Sequence, residues 1–397
     1  MISDKMKPLL NNNSTIRAMF EEGMRLRSLV GEENVFDFSL GNPNVPAPKA
    51  VGEAIKKLVD TVDPVTLHGY MPNAGFPDVR EKLADHLNRL HGTSFTGRNL
   101  IMTVGAASGL NILLRTLLNE GDEVIVFTPY FMEYGAYARN YGGTVREVPT
   151  DQKTFLPDME AFRAALNART KVVIINTPNN PTGVIYGEEV LKALAAALKE
   201  TEEKYGTDIV LLSDEPYREL AYDGTPVPYV TKFYHNTIVC YSYSKSLSLA
   251  GERIGYLLIP DEVTDAQTVI DATIIANRTS GMVNAPALMQ KTVAEVADTD
   301  ISGTVSYYDR NRTYLYDHLT RLGFDCVYPA GAFYLWMKAP IEEKAFVELC
   351  KKHYVLVVPG SSFSGPGCVR IAYCVSYERL CGSIRAWEEI ASEVFAK

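Results

Sequence analysis

Lys245 lies in the run Ser242-Tyr243-Ser244-Lys245-Ser246-Leu247-Ser248-Leu249-Ala250-Gly251-Glu252-Arg253-Ile254-Gly255. It is the only cation near the end of the apolar stretch Thr237-Ile238-Val239-Cys240-Tyr241, which reads as a buried strand. A lysine held in an apolar pocket loses solvation of its charge, so its pKa falls and the neutral amine becomes a nucleophile. Arg253 follows eight positions later, with Gly251 and Gly255 leaving backbone room for something bulky. Ser242 and Arg253 together suit one anion, because a guanidinium fork grips phosphate and a hydroxyl adds one more bond. An amine nucleophile beside a phosphate pocket predicts a Schiff base with pyridoxal phosphate.

Other polar residues also stand directly after apolar runs. Asp214 emerges from Ile209-Val210-Leu211-Leu212-Ser213. Burying that acid is costly unless a cation meets it, and a protonated pyridine nitrogen is such a cation. The charge would keep the ring electron-poor, able to accept the electrons left when a substrate loses its alpha proton. Gly105-Ala106-Ala107-Ser108-Gly109 opens a helix after Leu100–Val104, and free N–H groups at a helix start attract phosphate. A dinucleotide fold has a similar turn but wants a carboxylate at the end of its next strand, where this chain has Phe127-Thr128-Pro129.

The lysine segment resembles the signature of the class I/II pyridoxal-phosphate aminotransferases of fold type I, and the chain is similar to that family along essentially its whole length. Asn176-Thr177-Pro178-Asn179-Asn180-Pro181-Thr182-Gly183 resembles the family's Asn-Pro-x-Gly element. By that resemblance Asn180 bonds the cofactor's phenolic oxygen and helps hold the substrate carboxylate. Tyr217 donates to the same phenolic oxygen, and Arg370 forks the alpha-carboxylate. The backbone of Gly41 approaches that carboxylate. Phe131 takes the place of the aromatic that stacks on the ring, or is an ordinary core residue. Where relatives often have a side-chain donor this chain has Ala106 and Ala107, so backbone N–H groups must do more of the gripping. Tyr70, in His68-Gly69-Tyr70-Met71-Pro72-Asn73-Ala74-Gly75, reads either as a surface anchor or as the tyrosine that reaches the cofactor phosphate of a second subunit. In the latter case the protein is a homodimer with shared active sites. Arg278 lies near an arginine that serves a second carboxylate in aspartate-specific relatives, or is simply a solvated charge.

These residues need a scaffold. Apolar runs at Leu100–Val104, Glu123–Phe127, Thr144–Val148, Lys171–Asn176, Asp208–Ser213, Thr237–Tyr241 and Ile254–Ile259 alternate with helical spacing such as Val190, Leu191, Leu194 and Leu198. That alternation predicts an α/β fold: a mostly parallel seven-stranded sheet sandwiched by helices, with ligands at its carboxyl edge. Residues 14–30 read as a helix with Ser14 as cap and Ile16, Met19, Phe20 and Met24 on one face. Residues 261–277 and 301–322 read as further helices. Short strands at Val35–Leu40, Gly331–Trp336, Val355–Gly360 and Cys368–Tyr373 predict a smaller α+β domain. The expected division is a large domain over 46–300 and a small one built from 1–45 and 301–397.

Composition narrows the field. The 39 basic and 48 acidic residues give a net charge of -9, which argues against a nucleic-acid footprint. Six scattered cysteines include no Cys-x-x-Cys pair, so neither a disulfide framework nor a zinc site is expected. The amino terminus lacks the apolar core of a signal peptide, and no apolar run approaches the roughly 18 residues a membrane span needs. A soluble cytoplasmic enzyme is expected, acting on an amino acid and a 2-oxo acid. The resemblance implies an aminotransferase; a carbon–sulfur lyase or decarboxylase on the same fold is the alternative.

Overall fold

A computed structural model describes residues 1–4, 6, 7 and 15–395. Seven strands form the main sheet: β2 (Leu100–Thr103), β3 (Glu123–Thr128), β4 (Thr144–Pro149), β5 (Thr170–Asn176), β6 (Val210–Asp214), β7 (Thr237–Ser242) and β8 (Gly255–Leu258), the short β1 (Phe36–Asp37) lying outside it. Their order is β2-β8-β7-β6-β5-β3-β4. Every pairing is parallel except those of β8, which runs against both β2 and β7. Every strand but the edge strand β4 is almost wholly buried, so both faces of the sheet must be covered there. On one face Val124, Val126, Ile174, Leu212 and Cys240 pack under the helices Gly105–Leu117 and Ala266–Thr279. On the other, Ile125, Phe127, Val173, Ile175 and Leu211 pack under Met159–Ala165 and Glu188–Tyr205. That second face continues through Val239, Tyr241, Tyr256 and Leu258 to the helices Pro77–His91 and Ala287–Glu295.

The reversal of β8 matters for the site. A parallel strand delivers its following loop to the carboxyl edge, and a reversed strand delivers its preceding loop there. Ser242 pairs with Gly255 at the end of the β7–β8 ladder. Arg253, two residues before Gly255, therefore reaches the same edge as the residues that follow β2, β3, β5, β6 and β7.

The remaining strands form two small sheets. β1 runs parallel to β10 (Val355–Leu356). β12 (Cys368–Ala372) is central between β9 (Tyr334–Lys338) and β11 (Val358–Pro359), antiparallel to both. Their core holds Trp387, Phe346, Leu315, Phe333 and Tyr308, the last from the helix Ser302–Arg321 expected near 301–322. The backbone after β1 is tied across both small sheets: Phe38 N–H donates to Leu356 O at 2.9 Å, and Ala372 N–H donates to Phe38 O at 2.9 Å.

Two sequence expectations shift. The first helix runs Thr15–Val30, and Met24 is exposed rather than on the inner face, where Gly23 and Leu26 stand instead. Ser14 lies outside the described residues. The helix expected over 261–277 begins only at Ala266, because Asp265 takes a left-handed conformation with φ 52°. No helix among the described residues is long and apolar enough to cross a membrane.

Candidate active site

A cavity of about 300 Å³ opens at the carboxyl edge of the main sheet. Gly41, Ala106, Ala107, Phe131, Asn180, Asp214, Tyr217, Ser242, Lys245, Arg253 and Arg370, all singled out from sequence, line it. Gly105, the remaining residue of the glycine-rich turn, sits against Arg253 at its rim.

Lys245 sits on a four-residue helix, Tyr243–Ser246, directly after β7. Ser242 caps that helix by accepting from Ser244 N–H at 3.2 Å, and its hydroxyl meets the Ser244 hydroxyl at 2.6 Å. The half-buried amine donates to Gly41 O at 2.7 Å. Burial pushes its pKa down to about 8, opposed by Cys374 and aided by the lesser repulsion of Arg370 and Arg253. A substantial fraction is thus neutral near physiological pH. Gly41 must be glycine for a steric reason: a Cβ there would collide with the Tyr334 hydroxyl.

Asp214 ends β6 and is almost wholly buried. Tyr134 donates to its Oδ2 at 2.6 Å, while its Oδ1 is buried without a hydrogen-bond partner among the described residues. Burial pushes this carboxyl up to about 7, against the lowering effect of the Tyr134 bond. A buried carboxylate with one oxygen unpaired is costly unless a donor or cation completes it.

On the far side, Arg370 projects from central strand β12 and is 2% exposed. Its Nη1 donates to Asn180 Oδ1 at 3.0 Å and its Nη2 to Ser39 O at 2.6 Å, while Nε is buried and unpartnered. The guanidinium lies over the Tyr334 and Phe363 rings, 4.4 and 4.7 Å from their centroids. Among the described residues no carboxylate is bonded to it, so its positive charge is held in the interior without a counter-ion from them. Tyr217 and Tyr334 share a buried hydroxyl–hydroxyl bond of 2.8 Å, and burial raises the Tyr217 phenol well above its ordinary value.

At the outer end, Gly105 begins the helix Gly105–Leu117 with φ 76°. A Cβ there would stand 2.7 Å from Arg253 Nη2. The guanidinium of Arg253 is anchored to Val104 O at 3.4 Å and Ala250 O at 3.1 Å, yet exposed. A helix N-terminus, a guanidinium and the Ser242–Ser244 hydroxyl pair together make an anion cradle. Phe131 stands at the wall with its ring edge-on to Tyr134, centroids 5.6 Å apart.

Two named residues stay apart from this cluster. Tyr70 is 94% exposed. Arg278 is exposed in the last turn of Ala266–Thr279 and does not line the cavity. Conversely, sequence reasoning missed Tyr134, Tyr334 and Ser244. A buried strand-end acid implies some donor, but which of 23 tyrosines supplies it depends on tertiary packing.

The family model for aminotransferase class I and II matches residues 33–383. The chain belongs to the class I and II aminotransferases. A curated relative, the aspartate/prephenate aminotransferase of Thermus thermophilus, is 35% identical over 345 residues, 86% of each chain. The aspartate aminotransferase of Pyrococcus horikoshii is 30% identical over 390 residues, 96% of this chain and 95% of its own. Among solved structures, an amino transferase from Eubacterium rectale matches with a TM-score of 0.95 and 45% identity, covering 99% of both chains. The aspartate aminotransferase of Thermus thermophilus with maleate matches at a TM-score of 0.85 and 32% identity, over 95% of this chain and 97% of that one. This aminotransferase thus has the α/β architecture of fold type I and catalyses amino-group transfer, and the lyase or decarboxylase alternative is not favoured.

Proposed function

We propose that the cavity at Lys245 holds pyridoxal 5'-phosphate and moves an amino group between an L-amino acid and a 2-oxo acid. The observation that carries this reading is a buried carboxyl and a buried guanidinium lining one pocket, each missing a partner among the described residues. Among the described residues Asp214 Oδ1 is a buried acceptor lacking a donor, and Arg370 is a buried cation lacking an anion. A protonated pyridine nitrogen suits the first and a substrate alpha-carboxylate suits the second. The Gly105, Ala106 and Ala107 turn, Ser242 and Arg253 suit the phosphate. When bound, the cofactor supplies an aldehyde for the amino group and an electron-poor ring that stabilises charge on the substrate's alpha carbon.

The chain's own groups divide the remaining work. The neutral Lys245 amine would take the alpha proton as a base and, once protonated, return it as an acid. Asp214 would keep the pyridine nitrogen protonated. Asn180 and Tyr217 would hold the phenolic oxygen, with Tyr334 positioning Tyr217 through its hydroxyl. Arg370, Asn180 and the backbone at Gly41 would orient the carboxylate, and Phe131 would supply an aromatic face for the ring.

We further propose a homodimer in which Tyr70 completes the phosphate site of the neighbouring subunit; its full exposure in one chain supports that role. The chain reads as a large domain over 46–300 and a small one from 1–45 with 301–397, since the small sheets draw their strands only from the latter segments. Six free cysteines support a reducing, cytoplasmic location.

The deciding experiment is borohydride reduction of the protein loaded with pyridoxal phosphate, followed by peptide mapping. An adduct on Lys245, and loss of both the adduct and turnover in Lys245→Ala, is the expected result. An adduct elsewhere, or ordinary activity in the variant, would overturn the assignment.

A further inference from the structure

The sheet face opposite the helix Gly105–Leu117 carries another cavity, of about 350 Å³, behind β7 and β8 and beneath the helix Pro77–His91. Three tyrosines make an aromatic wall. Tyr241 stacks on Tyr256 with centroids 5.0 Å apart and meets Tyr243 edge-on at 5.1 Å. Leu83, Leu87, Leu247 and Val296 supply apolar surface, and Leu90 stands exposed at the rim.

The charges lining this cavity do not balance. Tyr241 donates to Glu219 Oε1 at 2.7 Å, but Glu219 Oε2 is buried with no partner among the described residues. Arg218 also lines the cavity, yet its guanidinium is committed elsewhere. Nε donates to Glu215 at 2.5 Å, Nη1 to Val227 O at 3.2 Å and Nη2 to Pro228 O at 3.3 Å. His86 is paired with Asp298 at 2.6 Å, and Asp298 also takes Arg89 at 2.9 Å. His91, held neutral by burial that pushes it down to about 4, leaves Nε2 without a partner. The lining thus offers a carboxylate oxygen and aromatic faces, and every cation on it is already satisfied. Burial raises the Glu219 carboxyl from its ordinary value, as expected of an acid whose neighbours do not fully compensate it.

We propose that this cavity is a binding site for a compact organic cation, an ammonium group on a small apolar body. The ammonium would face Glu219 and the tyrosine rings, which attract cations through their π faces. The apolar body would lie against the leucines. The site is separate from the cavity at Lys245 and does not depend on what that cavity holds.

Benzyltrimethylammonium is a suitable probe, because a quaternary nitrogen cannot condense with the cofactor's aldehyde. Calorimetric titration into the cofactor-loaded protein should give saturable binding of one probe per chain. The isosteric Glu219→Gln variant should weaken it about tenfold. Leu90→Trp, which narrows the rim from an exposed position, should weaken it similarly while leaving the melting temperature and donor turnover unchanged. Absence of saturation at low-millimolar probe, or undiminished affinity in a folded Glu219→Gln protein, would overturn the proposal. If Glu219→Gln does not fold, undiminished affinity in Leu90→Trp overturns it instead.

Discussion

Asp214 has one oxygen bound to Tyr134 and one left over, and the two have different consequences. The Tyr134 bond holds the carboxyl lower than burial alone would. In Tyr134→Phe the acid should therefore titrate higher, weakening its hold on a protonated ring. We expect kcat/KM to fall about tenfold and the acid limb of its pH profile to move upward, measured in single-turnover donor reactions. In the cofactor-free protein Asp214 also links stability to pH. Its folded pKa of about 7 lies above the reference 3.8, so the native state binds the extra proton between those values. Its contribution is complete below pH 4 and is lost as pH rises through 7. Cofactor-free Asp214→Asn should accordingly out-melt the parent near pH 8, with the gap closing toward pH 4 in thermal scans. Lys245 behaves in the opposite sense: pushed down to about 8, its amine is protonated below that pH. The rate at which cofactor-free protein takes up pyridoxal phosphate should rise about tenfold per pH unit and level above pH 8, followed by absorbance. Lys245, Asp214, Asn180, Arg253 and Arg370 were legible in the sequence because each follows or punctuates an apolar run with a side chain that such a run does not explain. Tyr134 and Tyr334 were not, because a tyrosine beside apolar neighbours looks the same whether its hydroxyl is idle or bonded.

Strands decide which of these groups can meet. Arg370 lies on the central strand of a three-stranded sheet, paired with Trp336 on one side and Val358 on the other. Both its charge and its direction are thereby fixed, and a lysine at the same place would keep the charge but lose the planar fork. Arg370→Lys should raise KM for the amino donor by about one to two orders of magnitude while leaving cofactor absorbance intact, read by stopped-flow spectroscopy. At the phosphate end, Gly105→Ala faces both a left-handed backbone and the Arg253 guanidinium. Loss of about 1–2 kcal/mol in stability and weaker cofactor retention on dialysis are the expected effects. Six strands of the main sheet were visible from apolar runs, which arise because both faces are covered, while the exposed edge strand β4 showed only Val145 and Val148. The reversal of β8 was not, since burial on two faces leaves no trace of strand direction. The late start of the helix at Ala266 was hidden too, in the left-handed turn at Asp265.

Assembly enters where one chain falls short. Tyr70 is almost fully exposed and is not among the residues lining its own pocket. If two subunits complete each other, mixing inactive Tyr70→Ala with inactive Lys245→Ala protein under exchange conditions should restore about one quarter of parental activity, since half the dimers then hold one whole site. No recovery would leave the chain self-sufficient. The pocket itself contains three basic side chains, Lys245, Arg253 and Arg370, each with a task already assigned. A donor bearing a second carboxylate therefore has no further cation among the lining residues, and a donor panel should favour uncharged side chains unless a neighbour supplies one. That partition could not be read from the sequence, because Arg278 stood near enough in the chain to serve and only its exposed position separates it from the cavity. The bond from Arg370 to Ser39 O and Asn180 joins three segments from the beginning, middle and end of the polypeptide. During synthesis the lysine thus emerges well before the arginine that closes its pocket. The cation that selects a carboxylate is supplied by the last strand of the chain, so every truncation before residue 370 keeps Lys245 and Asp214 yet removes the group that would recognise the substrate.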